Sequence, residues 1–172
     1  MRQNGLVSGE FIRLEPWDEG DLALLRRINT PEMRKYVGGP ETEAQVLARH
    51  SRYLNLKNGR MFRIELLPEG EHVGSIAFWN RIWRGEEVYE TGWNVLPEFQ
   101  GRGIGMAAVH AIINTARHDN KHRWLHAYPS VNNAASNAIC RKAGFELAGE
   151  TDFEYPPGQI MRSHDWRFDL HL

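Results

Sequence analysis

The chain has 172 residues, a quarter of them charged, and a formal net charge of −1. This length suits one domain with a sizeable core, and we expect residues 1–172 to form it. The near-neutral charge excludes the basic surface of a general nucleic-acid-binding protein. Because Cys140 is the only cysteine, an internal disulfide and a zinc site built on several cysteines are excluded too.

Membrane and metal signals are missing from the sequence. No segment approaches the roughly 18 consecutive apolar residues of a membrane helix, and residues 1–9 lack the apolar core of a signal peptide. The eight histidines show no His-Glu-x-x-His or similar metal-ligand spacing. We expect a cytoplasmic protein, a monomer or a homodimer, with no metal, nucleic-acid or membrane partner.

The N-terminal part predicts one strand and two helices. Residues 10–14 are typical of a strand ended by Pro16, and Asp18 is a plausible cap for a helix reaching about Asn29. A short helical turn is predicted over residues 31–40. A second helix is predicted from Thr42 to about Asn58, where Asn58-Gly59 stops it.

The remaining sequence predicts strands and helices in a mixed order. Strands are predicted at residues 60–67, 71–83, 88–96, 123–128, 146–153 and 160–170. Helices are predicted at residues 104–117, with apolar residues at helical spacing on one face, and at residues 132–143. Together these elements predict an α+β fold with a mixed sheet and one phosphate-binding crossover.

A glycine-rich loop, Gln100-Gly101-Arg102-Gly103-Ile104-Gly105-Met106-Ala107, joins a predicted strand to a predicted helix. The free N–H groups and the positive dipole end of a helix N-terminus attract anions. Since glycines have no side chain, a phosphate group can approach this backbone closely. We interpret the loop as a pyrophosphate site, with a plain tight turn as the alternative.

Two other phosphate-binding motifs fit the loop less well. A Walker-type Gly-x-x-x-x-Gly-Lys-Ser/Thr sequence is missing. Gly103-Ile-Gly105-Met-Ala-Ala108 matches a relaxed dinucleotide fingerprint, which requires an acidic residue after the next strand. That strand ends in Pro129-Ser130 with no carboxylate, which disfavours a dinucleotide oxidoreductase.

A second motif lies downstream, where Asn133-x-x-Ser136 is followed by Lys142-x-Gly144-Phe145. With the Gln100-x-x-Gly103-x-Gly105 loop, this pair of motifs resembles the GCN5-related N-acetyltransferases (GNAT superfamily). Within that superfamily the chain looks most similar to the ribosomal-protein-alanine acetyltransferase type. The resemblance implies a mostly antiparallel central sheet flanked by helices, with acetyl-CoA as cosubstrate.

The resemblance also implies how coenzyme A would bind. Its pyrophosphate would lie on the N–H groups of the loop, and its pantetheine arm beside the strand that ends at Val95-Leu96, in a gap where the next strand splays away. Asn133 would hold the arm, unless it is only a helix cap, and Arg102 would meet a phosphate, unless it is only a surface cation. The full implied set is Val95, Leu96, Gln100, Gly101, Arg102, Gly103, Ile104, Gly105, Met106, Ala107 and Asn133.

Direct acyl transfer to an amine requires a base, a donor to the oxyanion and a proton for the departing thiolate. Glu90 is the candidate base, acting directly or through water, with a solvated strand residue as the alternative. Ser136 is the candidate proton donor and Tyr128 its rival. His126 shares a strand face with Tyr128 and is interpreted as packing. The resemblance alone implies an oxyanion donor in the backbone N–H near Val95.

These assignments predict an acetyl-CoA-dependent N-acetyltransferase that acts on a primary amine in a ternary complex. A catalytically silent acyl-CoA-binding sensor or interaction module is the alternative. In such a fold Arg34-Lys35-Tyr36 and the Trp79–Trp83 hairpin would flank the acceptor mouth. The sequence does not separate a peptide α-amine from an aminoglycoside, a polyamine or an amino acid, although no dense acidic run favours a strongly cationic acceptor.

Overall fold

The computed structural model of the chain describes residues 6–8 and 11–172. Within these residues, eight strands form one sheet in the order β1-β2-β3-β4-β5-β6-β8-β7. The strands are β1 Leu6–Ser8, β2 Ile12–Pro16, β3 Gly59–Leu66, β4 Glu71–Trp83, β5 Glu86–Val95, β6 Trp124–Ala127, β7 Glu146–Glu154 and β8 Ile160–Asp169. The α-helices are α1 Leu22–Ile28, α2 Glu43–Leu54, α3 Ile104–Asp119 and α4 Ala134–Ala143.

Strand pairing makes the sheet mixed but mostly antiparallel. Every neighbouring pair is antiparallel except β5 and β6, which run parallel because α3 crosses between them. The predicted α+β fold, with its helix-flanked, mostly antiparallel sheet, is therefore confirmed.

The sheet separates two apolar cores. On one face, α3 and α4 pack on alternate strand residues such as Phe62, Ile76 and Phe78. On the other face, α1 and α2 cover the intervening residues Met61 and Ala77. Period-two alternation along β3 and β4 thus assigns one pair of helices to each face of the sheet.

Some element boundaries differ from the sequence expectations. Thr42 caps α2 with a reciprocal capping box, but the helix ends at Leu54, four residues before the Asn58-Gly59 stop signal. Residues 31–38 form turns rather than helix. The first predicted strand is shifted, because β2 extends through Pro16, and Glu10 lies outside the described residues.

The N-terminal hairpin partner β1 was missed because three residues carry too little periodicity to predict a strand. No helix in the described part of the chain combines the length and apolar character needed to cross a membrane.

Candidate active site

The loop before α3 adopts a conformation that requires glycine at two positions. Gly101 and Gly103 have φ angles of 77° and 79°, in the left-handed region that other residues rarely adopt. A Cβ atom added at either glycine would meet nothing within 4 Å, so the space above both is open. The backbone at Gly101 and Gly103 therefore has no side chain above it and is accessible to a ligand, as the sequence predicts.

Backbone amides in this loop and in the first turn of α3 are free to bind an anion. Among the described residues, the N–H groups of residues 101–106 donate to no protein acceptor. The amide of Ala107 already donates to the Gly103 carbonyl, at 3.0 Å, so the free donors end at Met106. Six consecutive free amides at a helix N-terminus are suited to a diphosphate.

Gly105 has a different role from the one its sequence position suggested. Its backbone is buried, and an added Cβ would lie 2.9 Å from the Cδ1 atom of Ile139 on α4. The missing side chain thus permits close packing of α3 on α4. Its amide still belongs to the free first turn, but the space at its Cα is filled by protein.

Strands β5 and β6 diverge beside the loop. Only Tyr89 with Leu125 and Glu90 with His126 are in register, although β5 continues to Val95. Residues 91–95 therefore have one backbone edge without a strand partner in the described chain. The carbonyl of Val95 accepts a bond of 2.8 Å from the Gln100 side chain. The other backbone groups on this edge are available to an extended ligand.

A cavity of about 590 Å³ opens at this divergence. Glu90, Tyr128, Asn133 and Ser136 all line it, so the structure brings together the four side chains that the sequence singled out for catalysis and for the pantetheine arm. Glu90 occupies the last registered pair, where the gap between the two strands begins. Trp79 and Trp93 also line the cavity, whereas the ring of Trp83 packs against Tyr128 at a centroid distance of 4.8 Å.

The carboxyl group of Glu90 is largely removed from water. Its side chain is only 12% exposed, and burial raises its pKa to about 7, although Arg81 opposes this shift by donating from Nη1 to Oε1 at 2.7 Å. Burial outweighs the single ion pair. A carboxyl group with a pKa near neutrality can both accept and release a proton at physiological pH.

Tyr128 presents a hydroxyl group that keeps its proton. The ring is fixed between His126 and Phe153, at centroid distances of 5.6 and 4.6 Å. Burial raises the pKa of the hydroxyl, and the nearby carboxylates of Asp165 and Glu90 raise it further. Within the described residues this buried hydroxyl has no hydrogen-bond partner. The hydroxyl is therefore a buried, unsatisfied polar group on a residue that lines the cavity.

Ser136 and Asn133 lie at the start of α4. Asn133 caps the helix, and its side-chain oxygen accepts from the Ser136 amide at 3.2 Å. Ser136 is half-buried in the first turn and lines the cavity. The sequence suggested two roles for Asn133, a helix cap or a contact to the pantetheine arm. The two roles are compatible, since Oδ1 serves as the cap while the residue borders the cavity. Cys140 on the same helix is fully buried, which raises the pKa of its thiol to about 12.

Other residues that the sequence suggested lie outside the cavity. His126 is buried, with Nδ1 at 2.7 Å from the Asp165 carboxylate, and belongs to the structural support of Tyr128. Arg102 is exposed beside the glycine loop, where Nη2 donates to the Glu98 carbonyl at 3.4 Å. Among the described residues no group of three or more His, Cys, Asp or Glu side chains is arranged to hold a metal ion.

Two residues of structural importance were missed by sequence reasoning. Arg81 pairs with Glu90 while its guanidinium lies over the rings of Phe153 and Tyr128, at 4.6 and 5.4 Å. Asn137 is buried and joins α4 to β8, because its Oδ1 accepts from both His164 and Trp166. Only the three-dimensional pairing of distant segments reveals these contacts, although Asn137 lies one residue after the motif serine.

Comparisons with known proteins identify the family to which this mixed sheet and its flanking helices belong. Residues 12–146 match the family model described as the acetyltransferase (GNAT) domain. As this match covers well over half of the sequence, the chain belongs to the GNAT acetyltransferase family. The resemblance indicated by the two sequence motifs is confirmed. No curated protein sequence gave a significant match.

Solved structures share the whole fold at low sequence identity. An acetyltransferase of the GNAT family from Bacillus anthracis has a TM-score of 0.81 and 19% identity, over 98% of this chain and 99% of that one. RimL, a ribosomal alpha-N-protein acetyltransferase in complex with coenzyme A, has a TM-score of 0.80 and 18% identity, over 96% and 98%. Spermidine N-acetyltransferase from Vibrio cholerae, in complex with CoA and spermine, has a TM-score of 0.77 and 15% identity, over 93% and 96%.

Proposed function

We propose that this chain is an acetyl-CoA-dependent N-acetyltransferase that acetylates a primary amine by direct attack within a ternary complex. The observation that carries the proposal is the position of Glu90. Its buried carboxyl group, with a pKa near 7, lines the cavity at the point where β5 and β6 separate. Membership of the acetyltransferase family and the CoA-bound neighbours support the choice of cosubstrate.

The residues present fit coenzyme A. The free amides of residues 101–106 would hold its pyrophosphate, and the unpaired edge of β5 before Val95 would accept its pantetheine arm. Arg102, exposed at the loop, would meet a phosphate group. Leu96 is buried and would fix the strand end beneath the arm, while Ile104 anchors the start of α3 in the core.

When bound, acetyl-CoA supplies a thioester carbon that bonds to the amine nitrogen as its bond to sulfur breaks. Glu90 accepts the proton that the amine loses, directly or through a water molecule. Tyr128 holds the proton that the departing thiolate needs, because its hydroxyl is protonated, buried and without a partner among the described residues. Ser136 lines the same cavity and is the alternative donor. An oxyanion donor at the backbone N–H near Val95 remains a prediction from the resemblance.

Release of free thiol from acetyl-CoA tests the proposal. The purified protein is incubated with acetyl-CoA and a panel of primary amines, including amino acids, N-terminal peptides, a polyamine and an aminoglycoside. Amine-dependent thiol release above the background hydrolysis of acetyl-CoA is expected with at least one acceptor, and the N-acetylated product is identified by mass spectrometry.

One observation favours a second candidate, a catalytically silent acyl-CoA-binding module. Oε1 of the Glu90 carboxylate is already engaged by Arg81 at 2.7 Å, so this carboxylate also has a structural role that does not require catalysis. A protein that binds acetyl-CoA but releases no thiol with any amine in the panel would support this candidate and reject the enzymatic proposal.

A further inference from the structure

The lining of the cavity carries an excess of positive charge. Four arginines line the cavity, and we call them the arginine wall: Arg34, Arg49, Arg52 and Arg81. Among the residues that the structure describes, the acidic members of the lining are Glu90 and Glu154, and no Asp, Lys or His belongs to it. Four cationic groups therefore face two carboxyl groups, one of which is Glu90 with its pKa near 7.

Ion pairs compensate the arginine wall only in part. Arg81 is paired with Glu90. Arg49 contacts the Glu41 carboxylate, and Arg34 lies 4.0 Å from the same oxygen, so two buried guanidinium groups share one carboxylate behind the wall.

The remaining hydrogen bonds leave positive charge in excess. Arg34 is fixed by the carbonyls of Gly39 and Val37, at 2.8 and 2.9 Å, which accept from two of its donors without cancelling its charge. Arg52 is exposed in the last turn of α2 and forms no ion pair within the described residues. Glu154 is exposed, and one of its oxygens accepts from the Gly158 amide.

Such a wall distinguishes acceptors by charge. A cleft lined mainly by one sign of charge, with apolar walls, focuses the potential and concentrates ligands of opposite charge. Apolar and aromatic side chains such as Trp79, Tyr53 and Met61 supply those walls here. A polyamine or an aminoglycoside would bring further cations towards the arginines and be repelled. An acceptor with a carboxylate near its amine would be attracted.

We propose that the acceptor is a primary amine that carries a carboxylate close to the reacting nitrogen, bound with its carboxylate towards the arginine wall. This proposal rests on the proposed N-acetyltransferase function and adds the substrate class. Two sources share the chemistry, namely a free α-amino acid and a peptide with an acidic side chain beside its N-terminus.

Acceptors that differ in the charge beside the amine test the proposal in the thiol-release assay. For each acceptor, kcat/KM is calculated on the concentration of unprotonated amine, because a neighbouring carboxylate raises the pKa of the amine. The peptides Ser-Asp-Ala-Ala amide, Ser-Asn-Ala-Ala amide and Ser-Lys-Ala-Ala amide represent the peptide source, and serine with serinamide represents the amino-acid source. We expect kcat/KM to be about tenfold higher for the anionic member of at least one set, and the lysine peptide to be the poorest acceptor. The set of acceptors that shows this preference identifies whether the acceptor is a peptide or a free amino acid. Added salt should reduce the preference.

Two variants localise the effect to the wall. Arg52→Gln removes an exposed cation at the cavity, and Arg60→Gln removes an exposed cation whose guanidinium lies over Phe62 and which does not line the cavity. The anionic preference should fall several-fold in Arg52→Gln and stay unchanged in Arg60→Gln, with the KM for acetyl-CoA unchanged in both. Because Arg52 is exposed, its loss should not prevent folding.

Three results would overturn the inference. They are equal kcat/KM for all charges, a preference for the lysine peptide, and an Arg52→Gln effect confined to the KM for acetyl-CoA. In each of these cases thiol release persists, and the N-acetyltransferase proposal survives. Absence of thiol release with every amine would instead reject the proposed function itself.

Discussion

Burial and one ion pair act in opposite directions on the carboxyl group of Glu90, and the sum raises its pKa to about 7. If Glu90 is the base, kcat/KM should fall below pH 7 by about tenfold per pH unit in addition to the fall that protonation of the amine causes, because the protonated carboxyl cannot accept a proton. Glu90→Gln should lower kcat about 100-fold or more. In this variant the fall of kcat/KM that protonation of Glu90 causes should disappear, and only the titration of the amine should remain. An unchanged pH profile in the variant would reject the assignment.

The raised pKa of Glu90 also affects stability, whether or not the residue is catalytic. The folded-state pKa of about 7 lies above the ordinary value of 4.5, so the folded protein binds more protons between these values. The free energy of unfolding should therefore fall as pH rises from about 4.5 to about 7. The thermal midpoint of Glu90→Gln minus that of wild type should therefore increase as the pH rises from about 4.5 to about 7. The same difference for Glu87→Gln, at an exposed position, should not change with pH. A constant difference between Glu90→Gln and wild type would show that Glu90 is not buried as described.

Tyr128 and Ser136 can be distinguished because only one of them has a fully buried hydroxyl without a protein partner among the described residues. Tyr128→Phe keeps the ring stacked on Phe153 and removes an unsatisfied polar atom, so the thermal midpoint should be unchanged or higher. Its kcat should nevertheless fall by about 10- to 100-fold if the hydroxyl protonates the thiolate. Full activity in Tyr128→Phe together with loss in Ser136→Ala would assign the donor to Ser136.

At the scale of elements, the turn into α3 allows a matched test of the anion site. Gly103 and Gly85 have φ angles of 79° and 81°, and an added Cβ at either would meet nothing within 4 Å. Alanine at either position should cost about 1–2 kcal/mol of stability, because both require the left-handed conformation. Only Gly103→Ala should also weaken coenzyme A binding, by about tenfold, measured by calorimetry. Equal coenzyme A affinity in the two variants would contradict the loop assignment.

Elements with a strong local signal were predicted well from the sequence. The capping box at Thr42 and the left-handed Gly144 are local features of the sequence. Helix α2 begins directly after Thr42, and α4 ends directly before Gly144, as the sequence predicts. The predicted end of α2 at Asn58 was wrong by four residues. The helix ends at Leu54, where no glycine or proline marks its end in the sequence. Gly105 shows the limit most clearly, because its packing against Ile139 depends on a helix some thirty positions away in the sequence.

At the scale of the whole molecule, the parallel β5–β6 pair is the feature on which the site depends. All other neighbouring strands pair antiparallel, and the crossover through α3 places the glycine loop at the end of β5, beside the gap. Sequence reasoning indicated this loop and Glu90, and it named Arg34 beside the acceptor mouth, but it did not indicate Arg81, Asn137, Arg49 or Arg52. These four residues come from β4, α4 and α2, whose contacts are set by tertiary packing rather than by local pattern.

The proposed function requires that this chain bind acetyl-CoA at the α3 N-terminus. Thermal unfolding with acetyl-CoA, coenzyme A, NAD or ATP at equal concentration measures this binding. A ligand at about 100 times its dissociation constant adds roughly 2.7 kcal/mol, or about 5–10 °C for a chain of this size. Acetyl-CoA and coenzyme A should raise the thermal midpoint in this way, and NAD and ATP should not. A shift with NAD, or none with acetyl-CoA at millimolar concentration, would contradict the proposed function.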